Sequence, residues 1–461
     1  MAINGSCDKA GRTWLDLREP AWDGFDAPCR AEAEVFDCIV DGTIPPQIDG
    51  TFFRVAPDPQ VVPLYPNEVN FNGDGMISAF RFRNGYVDFK NKWVRTEKLV
   101  RERRARHALI GKYRNGYTDN PLVANALRTT ANTNVVNLYG HLLALKEDAL
   151  PYELDPNTLA TKGVFNFDGQ YSAPTFTAHP KTDGKTGETV MYGYEVKRDG
   201  TKDVYYALFD KDCRKIEEFY FQSPYCGIMH DVAITDNYVV FQIYPLECTE
   251  ERLKRGGNHW VYNEELPMYL GLIPKRNPQL SDVKWFHWEK NYFEGHWSNC
   301  FEKDGMVLCD MTLYNGNIMN WWPNKDGKAP KPWELKNFFA RFVLDPKATD
   351  LRLADPIKVC DVAGEFSRID DRFLGHDYTY TFMAGMNMKL PYDRVKARGR
   401  PFPGFNCIVR VNNKTGEAQH WWPGDAAGVG EPNFIPRSPD APEGDGFVIC
   451  LVNRFDTHLS D

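Results

Sequence analysis

Ten histidines occur in the 461 residues, and three of them stand where an imidazole could do chemistry. His179 (Phe176-Thr177-Ala178-His179-Pro180), His230 (Gly227-Ile228-Met229-His230-Asp231) and His296 (Gly295-His296-Trp297-Ser298-Asn299) each sit at the edge of a strand-like run beside small or polar residues. They are 51 and 66 residues apart, a spacing that suits separate repeating units each giving one imidazole to a common axis. Neutral imidazole is a ligand for first-row metals, so the chemistry on offer is metal-centred. Taken singly, each also fits an ordinary core or surface histidine, and spacing alone does not separate the two.

The elements that must position these side chains are short strands. Two-residue alternation marks Gly50-Thr51-Phe52-Phe53-Arg54-Val55, Ser78-Ala79-Phe80-Arg81-Phe82-Arg83 and Val135-Val136-Asn137-Leu138. It recurs at 231–234, 238–241 and 447–452. Turn signals such as Arg83-Asn84-Gly85, Lys303-Asp304-Gly305 and Asn412-Asn413-Lys414-Thr415-Gly416 lie between them. No βαβ rhythm and no Gly-rich phosphate loop occurs. Antiparallel meanders over more than 400 residues predict a β-propeller, because radial repetition protects strand edges without one enormous sheet. Helix is expected only at 100–113 and 250–255. The first carries Arg95, Arg101, Arg103, Arg104 and Arg106 in and around it and reads as a solvated basic face or, less simply, as a site for an anionic partner.

Composition narrows the class. Apolar residues are 42% and aromatic residues 14%, enough to build a core and exclude a disordered chain. Net charge is −8, which argues against a phosphate-tracking surface and against nucleic acid as a partner. The 11 cysteines, Cys7 among them, are irregularly spaced without a CxxC pair. This predicts free thiols in a reducing compartment. The amino terminus has no apolar h-region, and no stretch is long enough to span a bilayer. The segment Pro121-Leu122-Val123-Ala124-Asn125-Ala126-Leu127 is short and broken by Asn, so membrane docking is not expected. A cytoplasmic location is the expectation.

Ordered motifs then carry a resemblance. Asn72-Gly73-Asp74-Gly75-Met76, Ala131-Asn132-Thr133-Asn134, Leu145-Lys146-Glu147, Pro151-Tyr152-Glu153-Leu154-Asp155-Pro156, Thr177-Ala178-His179-Pro180-Lys181 and Met229-His230-Asp231 follow one another along the chain. His296-Trp297-Ser298-Asn299, Glu365-Phe366-Ser367-Arg368-Ile369 and Glu431-Pro432-Asn433-Phe434 continue the series. The set resembles the carotenoid cleavage oxygenase family, in the family's order from about residue 40 onward. The resemblance implies an all-β, seven-bladed propeller with an axial non-haem Fe(II), O₂ as co-substrate, and a dome of loops and helices over the substrate tunnel. On this view residues 1–461 form a single propeller domain, with a helical insertion at about 99–128 in the dome. It also implies that His179, His230 and His296 are iron ligands and that Glu147, Glu365 and Glu431 stand behind them. A carboxylate on the far ring nitrogen fixes a ligand's tautomer and raises its basicity.

Lys146, with Tyr113 in Lys112-Tyr113-Arg114-Asn115-Gly116-Tyr117, resembles the lignostilbene and stilbene-cleaving branch. There the Tyr and Lys are thought to hold the para-hydroxyl of a 4-hydroxystilbene such as resveratrol. An adjacent ammonium favours phenolate, which pushes electron density onto the alkene. The expected reaction is cleavage of the central double bond to two aromatic aldehydes. Strict strand alternation would instead turn Lys146 outward, opposite Glu147. Apocarotenoid or phenylpropanoid alkenes, and a non-catalytic binding propeller, are the rival readings.

The family uses four histidines, the last lying some tens of residues beyond the position of Glu431. Here Asp461 follows Glu431 by only 30 residues, and His376, His420 and His458 match no ligand motif. The fourth ligand and part of the last blade are therefore expected to be missing. A chain of this length is expected to be weak in iron and poorly stable, and the native protein to be longer. The oligomeric state is left open by the sequence.

Overall fold

Short apolar runs stopped by Asn-Gly and Asp-Gly pairs fold into antiparallel strands and little else. The computed structural model describes residues 25, 27–65, 68–331, 334–400 and 403–461. The reading of the amino terminus and of Cys7 lies outside the described residues. Among the described residues, seven antiparallel sheets of three or four strands follow one another along the chain, with two further two-stranded pairs beside them. Six have four strands, and the seventh, made of Ala427–Val429, Val452–Arg454 and Leu459–Ser460, has three. The Asn84-Gly85 and Asp304-Gly305 turns both have positive φ at the two central residues, the geometry whose twist matches paired strands.

Burial follows strand position. The middle strands Thr189–Tyr194 and Asp203–Phe209 are covered on both faces and are apolar over most of their length. Their outer neighbour Lys215–Gln222 is wetted on one face and alternates.

Two compact units divide the chain. One contains the described residues up to 179, with 191–226 and 248–260. Its core holds Leu143, Leu145, Phe167, Phe176, Met191, Tyr205 and Phe209, with Phe167 and Phe176 stacked at 5.5 Å. The other contains 180–190, 227–247 and 261–461, around Val240, Leu270, Trp288, Trp297, Met311 and Phe342. Each such side chain fully buried contributes roughly 1.5–3 kcal/mol.

Two expectations need correction. Helix α1 spans Glu97–Ala105, not 100–113. It starts early because Thr96 caps it, accepting from the Leu99 N–H. It stops because Arg106 turns left-handed at φ 59°, and because the Glu102 carboxylate accepts from the N–H groups of Leu109 and Ile110. Short 3₁₀ turns at Gly116–Thr118 and Pro121–Val123 follow in place of further helix. Arg101, Arg103, Arg104 and Arg106 are exposed, as a solvated face requires. The second correction is at 447–452, which is two strands. Gly446–Ile449 pairs with Asn433–Pro436, whereas Val452–Arg454 pairs with Ala427–Val429, so the chain breaks at Cys450-Leu451 to change partners. Helix α2 covers Glu250–Lys254. Among the described residues no helix is long and apolar enough to cross a membrane.

Candidate metal centre and buried lysine

Two β-bulges build the best-defined part of the site. Strand Phe293–Lys303 slips register on either side of Trp297, and strand Gly364–Arg368 slips between Glu365 and Arg368, with Phe366 at φ 56°. Bulges of this kind re-aim side chains. Here they bring the Glu365 carboxylate onto His296. Oε2 lies 2.8 Å from Nδ1 and Oε1 accepts from the His296 backbone N–H at 2.9 Å. Residue 295 must be glycine for this approach, since a Cβ there would lie 2.2 Å from Glu365 Oε1 and 2.0 Å from Thr312 Oγ1. Burial pulls the His296 pKa down, but Glu365 outweighs it and the net direction is up. The Phe366 ring packs on the imidazole at 5.2 Å.

With Nδ1–H committed to Glu365, Nε2 of His296 presents its lone pair. It faces Nε2 of His230 at 3.1 Å. Two ring nitrogens at that distance need a proton or a cation between them. Adjacent octahedral imidazoles at a usual metal–nitrogen length of about 2.1 Å would lie about 3.0 Å apart, so the pair fits a first-row metal. Asp231 locks the loop of His230 to the strand of His296. It is 1% exposed, accepts from the Trp297 N–H at 3.2 Å and pairs with Lys181 at 2.9 Å. His179 is placed by its own neighbours. Its N–H donates to Thr177 Oγ1 at 2.8 Å, and Asn134 Nδ2 holds the carbonyl of Ala178 at 2.8 Å. His230 and His296 thus each turn a ring nitrogen toward a position where one metal ion fits, and His179 ends the first segment of the first unit.

The remaining predicted residues are placed as follows. Glu431 is ion-paired with Arg368 at 2.5 Å. Glu147 is 4% exposed and Lys146 3%. Both point inward because strand His141–Leu145 ends one residue earlier, so alternation no longer governs them. The ammonium of Lys146 sits 4.9 Å above the Tyr113 ring. It donates to Thr130 Oγ1 at 2.9 Å and to the Phe71 carbonyl at 3.2 Å, and Asp148 lies 3.4 Å away. Burial lowers its pKa against the pull of Asp148 and Glu147. The Tyr113 hydroxyl is pushed well up, first by burial and then by Glu147. Tyr117, the other tyrosine of that segment, is 58% exposed. With these partners, an apolar substrate would not leave Lys146 unpaired.

Sequence reasoning missed Asp148, Thr130, Asp231 and Lys181. The two aspartates were signalled only by adjacency, in Lys146-Glu147-Asp148 and His230-Asp231. His376 pairs with Asp183 and Asp236, and His420 and His458 are exposed.

Comparison with known proteins agrees with this layout. The family model described as retinal pigment epithelial membrane protein matches residues 26–461. Resveratrol cleavage oxygenase 1 of Aspergillus fumigatus is 46% identical over 446 residues, 96% of this chain and 89% of that protein. Carotenoid cleavage oxygenase 1 of Neurospora crassa is 46% identical over 443 residues, covering 95% and 84%. The crystal structure of Pseudomonas brassicacearum lignostilbene dioxygenase superposes with a TM-score of 0.92 at 42% identity, over 96% of this chain and 92% of that one. The seven sheets are thus the blades of a seven-bladed β-propeller. The chain belongs to the retinal pigment epithelial membrane protein family, the carotenoid cleavage oxygenases.

Proposed function

We propose that this alkene-cleaving dioxygenase acts on 4-hydroxystilbenes such as resveratrol, splitting the central double bond to two aromatic aldehydes. The observation that carries this reading is Lys146, a buried ammonium stacked on Tyr113. Burial lowers the Lys146 pKa, and the positive charge of its ammonium favours the phenolate form of a hydroxyl held beside it. Tyr113 keeps its own proton and serves as a donor to the phenolate oxygen. Together they hold the phenol end and favour its electron-rich form, which loads density onto the alkene.

His179, His230 and His296 would hold an Fe(II). The ion supplies the activation of O₂ that no side chain of the twenty can perform. Glu365 keeps the proton of His296 on Nδ1, and so its lone pair on Nε2. Glu431 and Glu147 would serve the other ligands in the same sense. The similarity to resveratrol cleavage oxygenase 1 and to lignostilbene dioxygenase supports the substrate class.

The test is oxygen uptake with aldehyde identification, comparing resveratrol with its 4′-O-methyl ether, alongside iron per chain. Equal turnover of the two substrates would sink the phenol reading and favour an apocarotenoid or other alkene. Absence of uptake in an iron-loaded protein would favour a binding role.

A further inference from the structure

In the first unit a buried network of different chemistry surrounds Glu195. Its Oε2 pairs with Arg114 at 2.6 Å and with His259 Nε2 at 3.1 Å. Its Oε1 accepts from the Gly200 N–H at 2.5 Å and from the Cys226 thiol at 3.3 Å. The other ring nitrogen of His259, Nδ1, lies 2.8 Å from the carbonyl of Arg114. Both ring nitrogens therefore face acceptors, and both must carry protons, so His259 is an imidazolium by hydrogen-bond logic alone. Cys248 Sγ, a ring nitrogen of His259 and a Glu195 oxygen lie within 4.8 Å of one another. A cation fits this pocket badly, because Arg114 and His259 already neutralise Glu195.

A thiol beside an imidazolium ionises. The Cys248 pKa is pushed down, first by the neighbouring Cys226 thiol, against burial, and then by His259. Cys226 is pushed up and keeps its proton. The two cysteines also oppose each other across an antiparallel pair. The Cys248 N–H donates to the Cys226 carbonyl at 2.9 Å, and Gly227 bridges Glu247 next to them. Hydrogen-bonded residues so opposed have Cα atoms about 5.5 Å apart, inside the roughly 4.4–6.8 Å that a disulfide spans. Both are free thiols here.

We infer that Cys226 and Cys248 form a redox-active dithiol that takes a hydroperoxide as its oxidant. The Cys248 thiolate attacks one peroxide oxygen and breaks the O–O bond. The leaving hydroxide takes a proton from solvent to become water, and Cys248 becomes a sulfenic acid. The Cys226 sulfur then attacks that sulfur, the S–O bond breaks, and the released hydroxide takes up the Cys226 proton as a second water. Two thiols are oxidised to one disulfide while one peroxide is reduced to water. The imidazolium of His259 stabilises the attacking thiolate throughout.

The experiment treats the 461-residue protein with hydrogen peroxide, alkylates the remaining thiols and maps the peptides by mass spectrometry. Exposed Cys29 is the internal control. Expected are a Cys226–Cys248 linked peptide, loss of two alkylatable thiols and recovery of both with dithiothreitol. In Cys226→Ser, oxidation should stop at a sulfenic acid on Cys248 that a dione reagent traps. Cys248→Ser should leave Cys226 reduced. His259→Gln should slow linking roughly tenfold by removing the charge that holds the thiolate. If both cysteines of the wild-type protein remain fully alkylatable at a peroxide dose that oxidises Cys29, the inference is overturned. Trapping of the sulfenic acid on Cys226 instead of Cys248 would overturn the assigned roles.

Discussion

Lys146 is surrounded by oxygen atoms from Thr130, Phe71 and Asp148 before any substrate arrives, so its place does not depend on the ligand. Lys146→Met should therefore bind iron normally and lose roughly a hundredfold in kcat/KM on a 4-hydroxystilbene, the lower range for a lost acid–base group. Asp148 stays supported by Arg114, Thr129 and Arg128, and thermal unfolding run beside the kinetics will show whether the variant remains folded. Tyr113→Phe removes one hydrogen bond of about 0.5–1.5 kcal/mol and should cost roughly two- to tenfold. At Gly295 the prediction is geometric. Gly295→Ala sets a methyl where Glu365 Oε1 stands, and should lower iron per chain while leaving the far-ultraviolet circular dichroism of the propeller unchanged. The three histidines and Glu365 were legible because each sits in an ordered motif. The partners of Lys146 were not, since Phe71 acts through its backbone carbonyl and Thr130 is 16 residues distant.

Elements were legible where one face meets water and illegible where a tertiary contact decides an end. Strand Gly75–Arg83 shows its alternation in the sequence. Helix α1 does not show its limits, because Thr96 and the reach of Glu102 to Leu109 and Ile110 set them. The same helix hides a charged core beneath its basic face, where Lys98 pairs with Asp74 and Glu102 at 2.9 Å each. Lys98→Met leaves two carboxylates buried without their cation and should destabilise the protein by about 3–5 kcal/mol, read by urea unfolding. The Lys98 pKa is raised in the folded state, by Asp74 and Glu102 against burial. Its contribution is thus fully present below the unfolded value near 10.5 and fades only as pH climbs through the higher folded value. The stability gap between wild type and variant should stay level from pH 7 to about pH 10.

At the scale of the molecule, the all-β class followed from two-residue alternation and turn chemistry, whereas the number of blades did not. The sheets differ too much in strand length for a period to be counted, from two residues at Lys181–Thr182 to eleven at Phe293–Lys303. A metal held by residues far apart in sequence should stabilise the whole. Adding Fe(II) to chelated protein at a hundred times its Kd should add about 2.7 kcal/mol, seen as a higher Tm, and His230→Ala should abolish that shift.

The bulges beside His296 and Glu365 also govern how this protein can change over generations. A strand tolerates exchange of its side chains but not of its residue count, because losing one position between a bulge and the site rotates everything beyond it to the opposite face. In a library of single-codon deletions, the 293–299 and 364–368 segments should emerge as silent gaps with no active survivors. The Asp304-Gly305 turn, a few residues away on the same hairpin, should yield them freely. Length, more than identity, is what lineage after lineage would have to keep there.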